Sequence, residues 1–138
     1  RPRIMASILK VDEMQGVTSA GDITITSEGG SATMQLQQGL AKTWIDIDGS
    51  SSGAPARDSF NVSGTTDNGT GDYTTSFSSS KSNASYCVTY RAGVSGLITA
   101  QERQKAIATG SWRLEIIEDG SSARDSSYVH ISINGDLA

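Results

Sequence analysis

"SFNVSGTTDNGTGDYTTSF", Ser59 to Phe77, holds few groups capable of chemistry, yet its large side chains are regularly placed. Asn68-Gly69 is the strongest short hairpin signal in the chain, because a two-residue type I′ turn needs positive φ at both central positions. With that turn, Gly64 faces Tyr73, Val62 faces Thr75 and Phe60 faces Phe77, so every large residue falls on one face. The other face collects Ser59, Asn61, Ser63, Thr65, Thr74 and Ser76. A slip of one residue would scatter the aromatics over both faces. Opposing Gly64 to Tyr73 also lets a ring cover a strand glycine. A longer loop from Asp67 to Asp72 keeps the same face and is the competing arrangement. Either way, the stretch predicts a half-buried antiparallel hairpin.

Composition extends that reading to the whole chain. Among 138 residues there are 22 Ser, 13 Thr and 15 Gly, with 36% hydrophobic and 6% aromatic residues. Such a chain suits one domain with a modest core. It lacks the Ala, Leu, Glu and Lys richness of a helical bundle and fits short strands joined by many turns. The expected fold is mostly β: an antiparallel β-sandwich or jelly-roll-like body, one short helix at about 99–109, and an extended N-terminal arm. The net charge is −4 and the seven Arg and four Lys are scattered. A nucleic-acid partner is therefore not expected, since such binders cluster cations to displace counterions. No apolar run reaches the 18 or so residues of a membrane span, so no membrane insertion is expected. The start "RPRIMASILKVDEM" has no continuous apolar segment of a signal peptide. Met5 reads as the natural start, with Arg1 to Ile4 a cloning remnant or a misjudged start codon.

Residues 39–138 read as the β-rich body. "LAKTWIDID" places Leu40 and Trp44 beside Ile45 and Ile47 as a first core strand. "YCVTY" is a strand with Tyr86, Val88 and Tyr90 on one side. "LITAQERQKAIATG" carries Thr99 as N-cap, Glu102 completing a capping box and Gly110 as a stop, which predicts the helix. Trp112, Leu114 and Ile116 alternate in one strand and Val129, Ile131 and Ile133 in another. These two are expected to form a closing hairpin. No repeat of fixed period occurs.

Residues 1–38 differ. Ile8, Leu9, Val11 and Met14 come first. Ile23 and Ile25 then alternate with threonines, and Met34 and Leu36 with glutamines, all in short segments separated by Gly and Ser. They are too few to build a core. Two readings stand: an extended arm buried against other subunits or another protein, or edge strands packed on their own domain. On the first, these eight residues are the contacts to other subunits or to another protein.

Candidates for chemistry are sparse. "DIDG" at 46–49 resembles a calcium loop, but Ser51 and Arg57 stand where Gly and Glu are needed, so no metal is expected. His130 is the only histidine and has no nucleophile motif beside it. It reads as a surface or rim residue. Cys87, the only cysteine, reads as a buried small hydrophobe. A glycosidase pair needs two carboxyls a few ångströms apart in a cleft, and the sequence nominates no pair among its 15 carboxylates. No catalytic residue and no cofactor is predicted. The sequons at Asn61, Asn68 and Asn83 are read as chance in a chain so rich in Ser and Thr. Loops 49–58, 78–85 and 119–127 contain no Trp, Tyr or Phe, which argues against a sugar platform on the loops.

"MASILKVDEMQGVTSAGDITITSEGG", "QQGLAKTWIDIDGS", "ARDSFNVSGTTDNGTGDYTTSF", "NASYCVTY" and the closing "ISINGDLA" resemble small tail-fibre-like structural proteins of tailed phages of marine bacteria. The likeness runs from Met5 over most of the chain. It is strongest in the hairpin stretch and weakest over 91–125. It implies a non-enzymatic virion protein, a tail fibre or fibre-like homotrimer. The 1–38 arm would then contact other virion proteins and the body could meet a host surface glycan or receptor. A host-reaching fibre carries a long shaft, for which 138 residues leave little room. The resemblance therefore also admits a short fibre, a head fibre or a capsid decoration protein. It carries over no catalytic residue.

Overall fold

The computed structural model describes residues 9–17, 23–26, 30–93, 100–118 and 122–138. Of these, 56% are strand and 3% helical. The chain divides into two compact units, Arg1–Gly39 and Leu40–Ala138.

The first unit contains one small hairpin. Strand β1 (Thr24–Thr26) pairs antiparallel with β2 (Thr33–Gln35), with Ile25 opposite Met34. The Leu36 amide donates to the Ile23 carbonyl at 2.7 Å, which continues the ladder one step outward. A 3-10 turn, Gln37–Gly39, ends the unit.

The second unit is a sandwich. One sheet runs β4 (Ala56–Phe60), β3 (Thr43–Ile47), β11 (Tyr128–Asn134), β7 (Cys87–Gly93). The other runs β5 (Val62–Gly69), β6 (Asp72–Phe77), β9 (Ser111–Glu118), β8 (Ala100–Ala108), with β10 (Ser122–Ala123) beside the end of β9. All pairings are antiparallel. Alternation decides which side chains meet. Ile45, Ile47, Val129, Ile131 and Ile133 from the first sheet share one core with Tyr73, Phe77, Trp112, Leu114 and Ile116 from the second. Period-two burial on both inner faces is what a sandwich requires.

The opening stretch folds differently from its simplest reading. The hairpin is β5–β6, but it turns at Thr70-Gly71, so neither the Asn68-Gly69 turn nor the Asp67–Asp72 loop forms. Thr65 faces Thr75, Asp67 faces Tyr73 and Val62 faces Phe77, with irregularities between Val62 and Gly64 and between Asp67 and Gly69. Gly71 explains the shift. It has φ +70°, and a Cβ there would lie 2.6 Å from the Ile116 carbonyl oxygen and 2.7 Å from that of Arg124, whereas Gly69 faces open space. The constrained glycine sets the turn. Tyr73, Thr75 and Phe77 do point into the core. Phe60 does not, because the chain changes sheets at Asn61. That residue has φ 57°, a conformation Asn tolerates. Its side-chain amide donates to the carbonyls of Lys42 (2.9 Å) and Ser79 (3.1 Å), and its Oδ1 accepts the Ser79 N–H at 2.6 Å. Phe60 therefore belongs to β4 in the opposite sheet and is exposed.

Three further expectations are corrected. The helix at about 99–109 is strand β8, paired along β9 from Ala100–Glu118 to Ala108–Ser111; Thr99 lies outside the described residues. Helix propensity is a small local term. Here it yields to pairing that covers an edge of β9, the strand carrying Trp112, Leu114 and Ile116. Arg103 and Lys105 also bond Glu115 at 2.8 and 3.0 Å. Strands β9 and β11 do not form a closing hairpin. They lie in different sheets because both apolar faces close on one core from opposite sides. Cys87 is exposed. The inward position beside it on edge strand β7 is taken by Val88, which packs against the core.

Candidate functional site

The outer face of the β4-β3-β11-β7 sheet gathers three of the four aromatics exposed among the described residues, Tyr90 on edge strand β7 being the fourth, and a row of titratable groups. Inward placement of Ile45 and Ile47 forces Trp44 and Asp46 outward, and inward Val129, Ile131 and Ile133 force out Tyr128, His130 and Ser132. Cross-strand register aligns them. One row reads Phe60, Trp44, Ser132, Thr89, and the next Asp58, Asp46, His130, Arg91. Trp44 is 39%, Phe60 54% and Tyr128 53% exposed. Leu40, read as core, is exposed too.

A bulge in the β3–β4 pairing at Asp46/Ile47 turns Arg57 onto this face. Its guanidinium meets Asp46 Oδ1 at 3.2 Å and Asp48 Oδ2 at 2.8 Å, and lies 4.7 Å above the Tyr128 ring. His130 Nε2 stands 3.4 Å from Asp46 Oδ1, and its ring meets Tyr128 edge-on at 6.2 Å. Hydrogen bonds from Ser50 hold the Asp48 carboxyl below the usual carboxylate range. Two shallow depressions flank the Arg91–His130 pair. One, about 330 Å³, lies toward Trp44, Thr89 and Ser132. The other, about 230 Å³, lies toward Tyr128 and Gly93.

The outer face of the other sheet is built differently. Arg113 grips Asp72 with two bonds of 2.8 Å, and these hydrogen bonds hold the Asp72 carboxyl below its usual range. Glu115 bonds Arg103 and Lys105, and at the end of β9 Arg124 bonds Glu118. Among the described residues no exposed large hydrophobic side chain belongs to β5, β6, β8 or β9.

The eight predicted contact residues fall in the first unit. Ile8 lies outside the described residues. Leu9, Val11 and Met14 are exposed. Ile23, Ile25, Met34 and Leu36 sit at alternate positions of the β1–β2 ladder and so share one face. On it Ile25 is 40% and Met34 55% exposed, and Ile23 and Leu36 are partly buried. The sequence reading sought aromatics on loops and missed those on the sheet face. The signal was present in "TWIDI" and "YVHISI", where the isoleucines and Val129 mark the inward positions.

Among the described residues no three His, Cys, Asp or Glu side chains gather as a metal site, and no helix is long and apolar enough to cross a membrane. The architecture defines an antiparallel β-sandwich protein. Comparison with protein-family models, with curated proteins and with solved structures returns no match.

Proposed function

We propose that the chain is a non-enzymatic structural component of a phage virion, a tail-fibre or fibre-like protein that assembles as a homotrimer through its N-terminal arm. The apolar face of the β1–β2 hairpin carries this reading. Four apolar side chains share one side of a two-stranded sheet, and an isolated two-stranded hairpin is marginal in water. Contact with further copies would bury Ile25 and Met34. The resemblance to phage fibre-like proteins supports the same assignment.

Light scattering on the full chain tests the proposal. The expected mass is three times the 14.4 kDa of the chain, falling to one when Ile25→Asp and Met34→Asp are combined. A full chain that stays monomeric at all concentrations, or a double variant that stays trimeric, overturns it.

A further inference from the structure

We propose that the outer face of the β4-β3-β11-β7 sheet binds an acidic carbohydrate, with a pyranose ring over Trp44 and its carboxylate at Arg91. The first observation is the state of the arginines. Arg57, Arg103, Arg113 and Arg124 are each ion-paired. Arg91, exposed on the same sheet face as Trp44, makes no ion pair among the described residues. A guanidinium left unpaired in water is a ready bidentate partner for a carboxylate. Asp58, whose Oδ1 accepts the Ser59 N–H at 2.8 Å, sits at the far end of the same row. Three strand spacings, about 14 Å, separate the two edges, so the Arg91 end is the electropositive one.

The second observation is shape. The larger depression has Trp44 and Asp46 on the β3 side, Ser132 with His130 in the middle, and Thr89 with Arg91 on the β7 side. The Asp46 carboxylate is engaged by Arg57 and lies 3.4 Å from His130 Nε2, which leaves Arg91 as the cation without an ion-pair partner among the described residues. An indole presents a face of negative quadrupole, which suits the weakly positive C–H face of a sugar ring. The hydroxyls of Thr89 and Ser132 can donate and accept toward sugar hydroxyls. The exposed lining of the depression is almost wholly apolar, which suits the C–H face of the ring and leaves the Arg91 guanidinium at the edge for the carboxylate. The smaller depression beyond Arg91, with Tyr128 beside it, provides room for a neighbouring sugar.

The third observation argues against a protein occupant. The middle row of the face is Asp58, Asp46, His130, Arg91. Protein interfaces deplete charge at their centre, because desolvating such groups is costly. A hydroxyl-rich ligand replaces the lost water with hydrogen bonds. This site does not depend on the arm: its residues all lie between Leu40 and Ala138.

The test titrates the full chain with trigalacturonate, a hyaluronan hexasaccharide and neutral maltotriose, read by tryptophan fluorescence and calorimetry. Trp44 is exposed and Trp112 buried, so a ligand at the face changes the emission of Trp44. At least one acidic probe should bind at millimolar concentration, about tenfold or more tighter than maltotriose. Arg91→Gln and Trp44→Ala should each weaken it by about tenfold or more, with Arg91→Lys retaining part. Unchanged circular dichroism checks the fold of each variant. The Ile25→Asp, Met34→Asp double variant should bind as the parent does, which separates this proposal from the assembly reading. Failure of both acidic probes, equal binding of maltotriose, or indifference to Arg91→Gln overturns the proposal. So does a Trp44→Ala variant that alters self-association but not saccharide binding, since the face would then be a protein interface.

Discussion

The two outer faces of the sandwich are made from the same kinds of strand and differ in what is left unsatisfied. On the outer face of the β5-β6-β9-β8 sheet, Asp72 pairs with Arg113 and Glu115 with Arg103 and Lys105. On the β4-β3-β11-β7 sheet, Arg57 joins Asp46 and Asp48, while Trp44, Phe60, Tyr128 and Arg91 are left open to solvent. The difference teaches where each sheet invests its side chains. The first face is organised to hold the sheet together. The second leaves three large aromatics and an arginine exposed. Substitutions should therefore separate cleanly, changing stability on one side and binding on the other.

The largest effect is expected at Gly71, where the turn of the β5–β6 hairpin packs against the backbone of Ile116 and Arg124. Gly71→Ala combines positive φ with a Cβ driven into two carbonyl oxygens, and should cost on the order of 3 kcal/mol in urea unfolding. Next comes Asp72→Asn. Because its folded pKa is depressed, the carboxylate contributes fully above its unfolded value, about 4, and the contribution is lost as pH falls through the folded value. Denaturation curves between neutral pH and pH 2 should show lower stability for Asp72→Asn at neutral pH and a flatter acid limb. If the parent and variant limbs coincide, the pairing does not hold the sheet.

A gain is expected inside the core between the faces. Thr75 Oγ1 and Trp112 Nε1 are buried without a hydrogen-bond partner, and the two residues are opposite each other across β6 and β9. Thr75→Val should raise stability by about 1 kcal/mol, read as a shift in urea midpoint. The smallest stability change belongs to the open face. Arg91→Gln should alter unfolding free energy by no more than about 0.5 kcal/mol, while weakening the saccharide response. A large loss of stability there would mean that the aromatic face is structural after all.

Much of the sandwich was legible because period-two alternation reports burial directly. "TWIDI", "SWRLEI" and "YVHISI" each mark their inward face. What was not legible depends on distant partners. "AQERQKAIA" has the local preferences of a helix, and only the edge of β9 makes it a strand. Asn68-Gly69 is the better local turn, and only the carbonyls of Ile116 and Arg124 make Gly71 the site that turns. Phe60 looked like the partner of Phe77 until Asn61 is seen to carry the chain between sheets. The candidate site is of the same kind. Trp44, Arg91 and His130 come from three strands far apart in sequence, joined only by the pairing of β3 and β7 with β11.

The assignment to a virion is tested most directly by antibody labelling of this chain on purified phage particles in the electron microscope. The account predicts label on the particle, concentrated at the tail. Label spread over the shell would replace the fibre with a decoration protein. Particles without label, from lysates that contain the chain, would contradict the account.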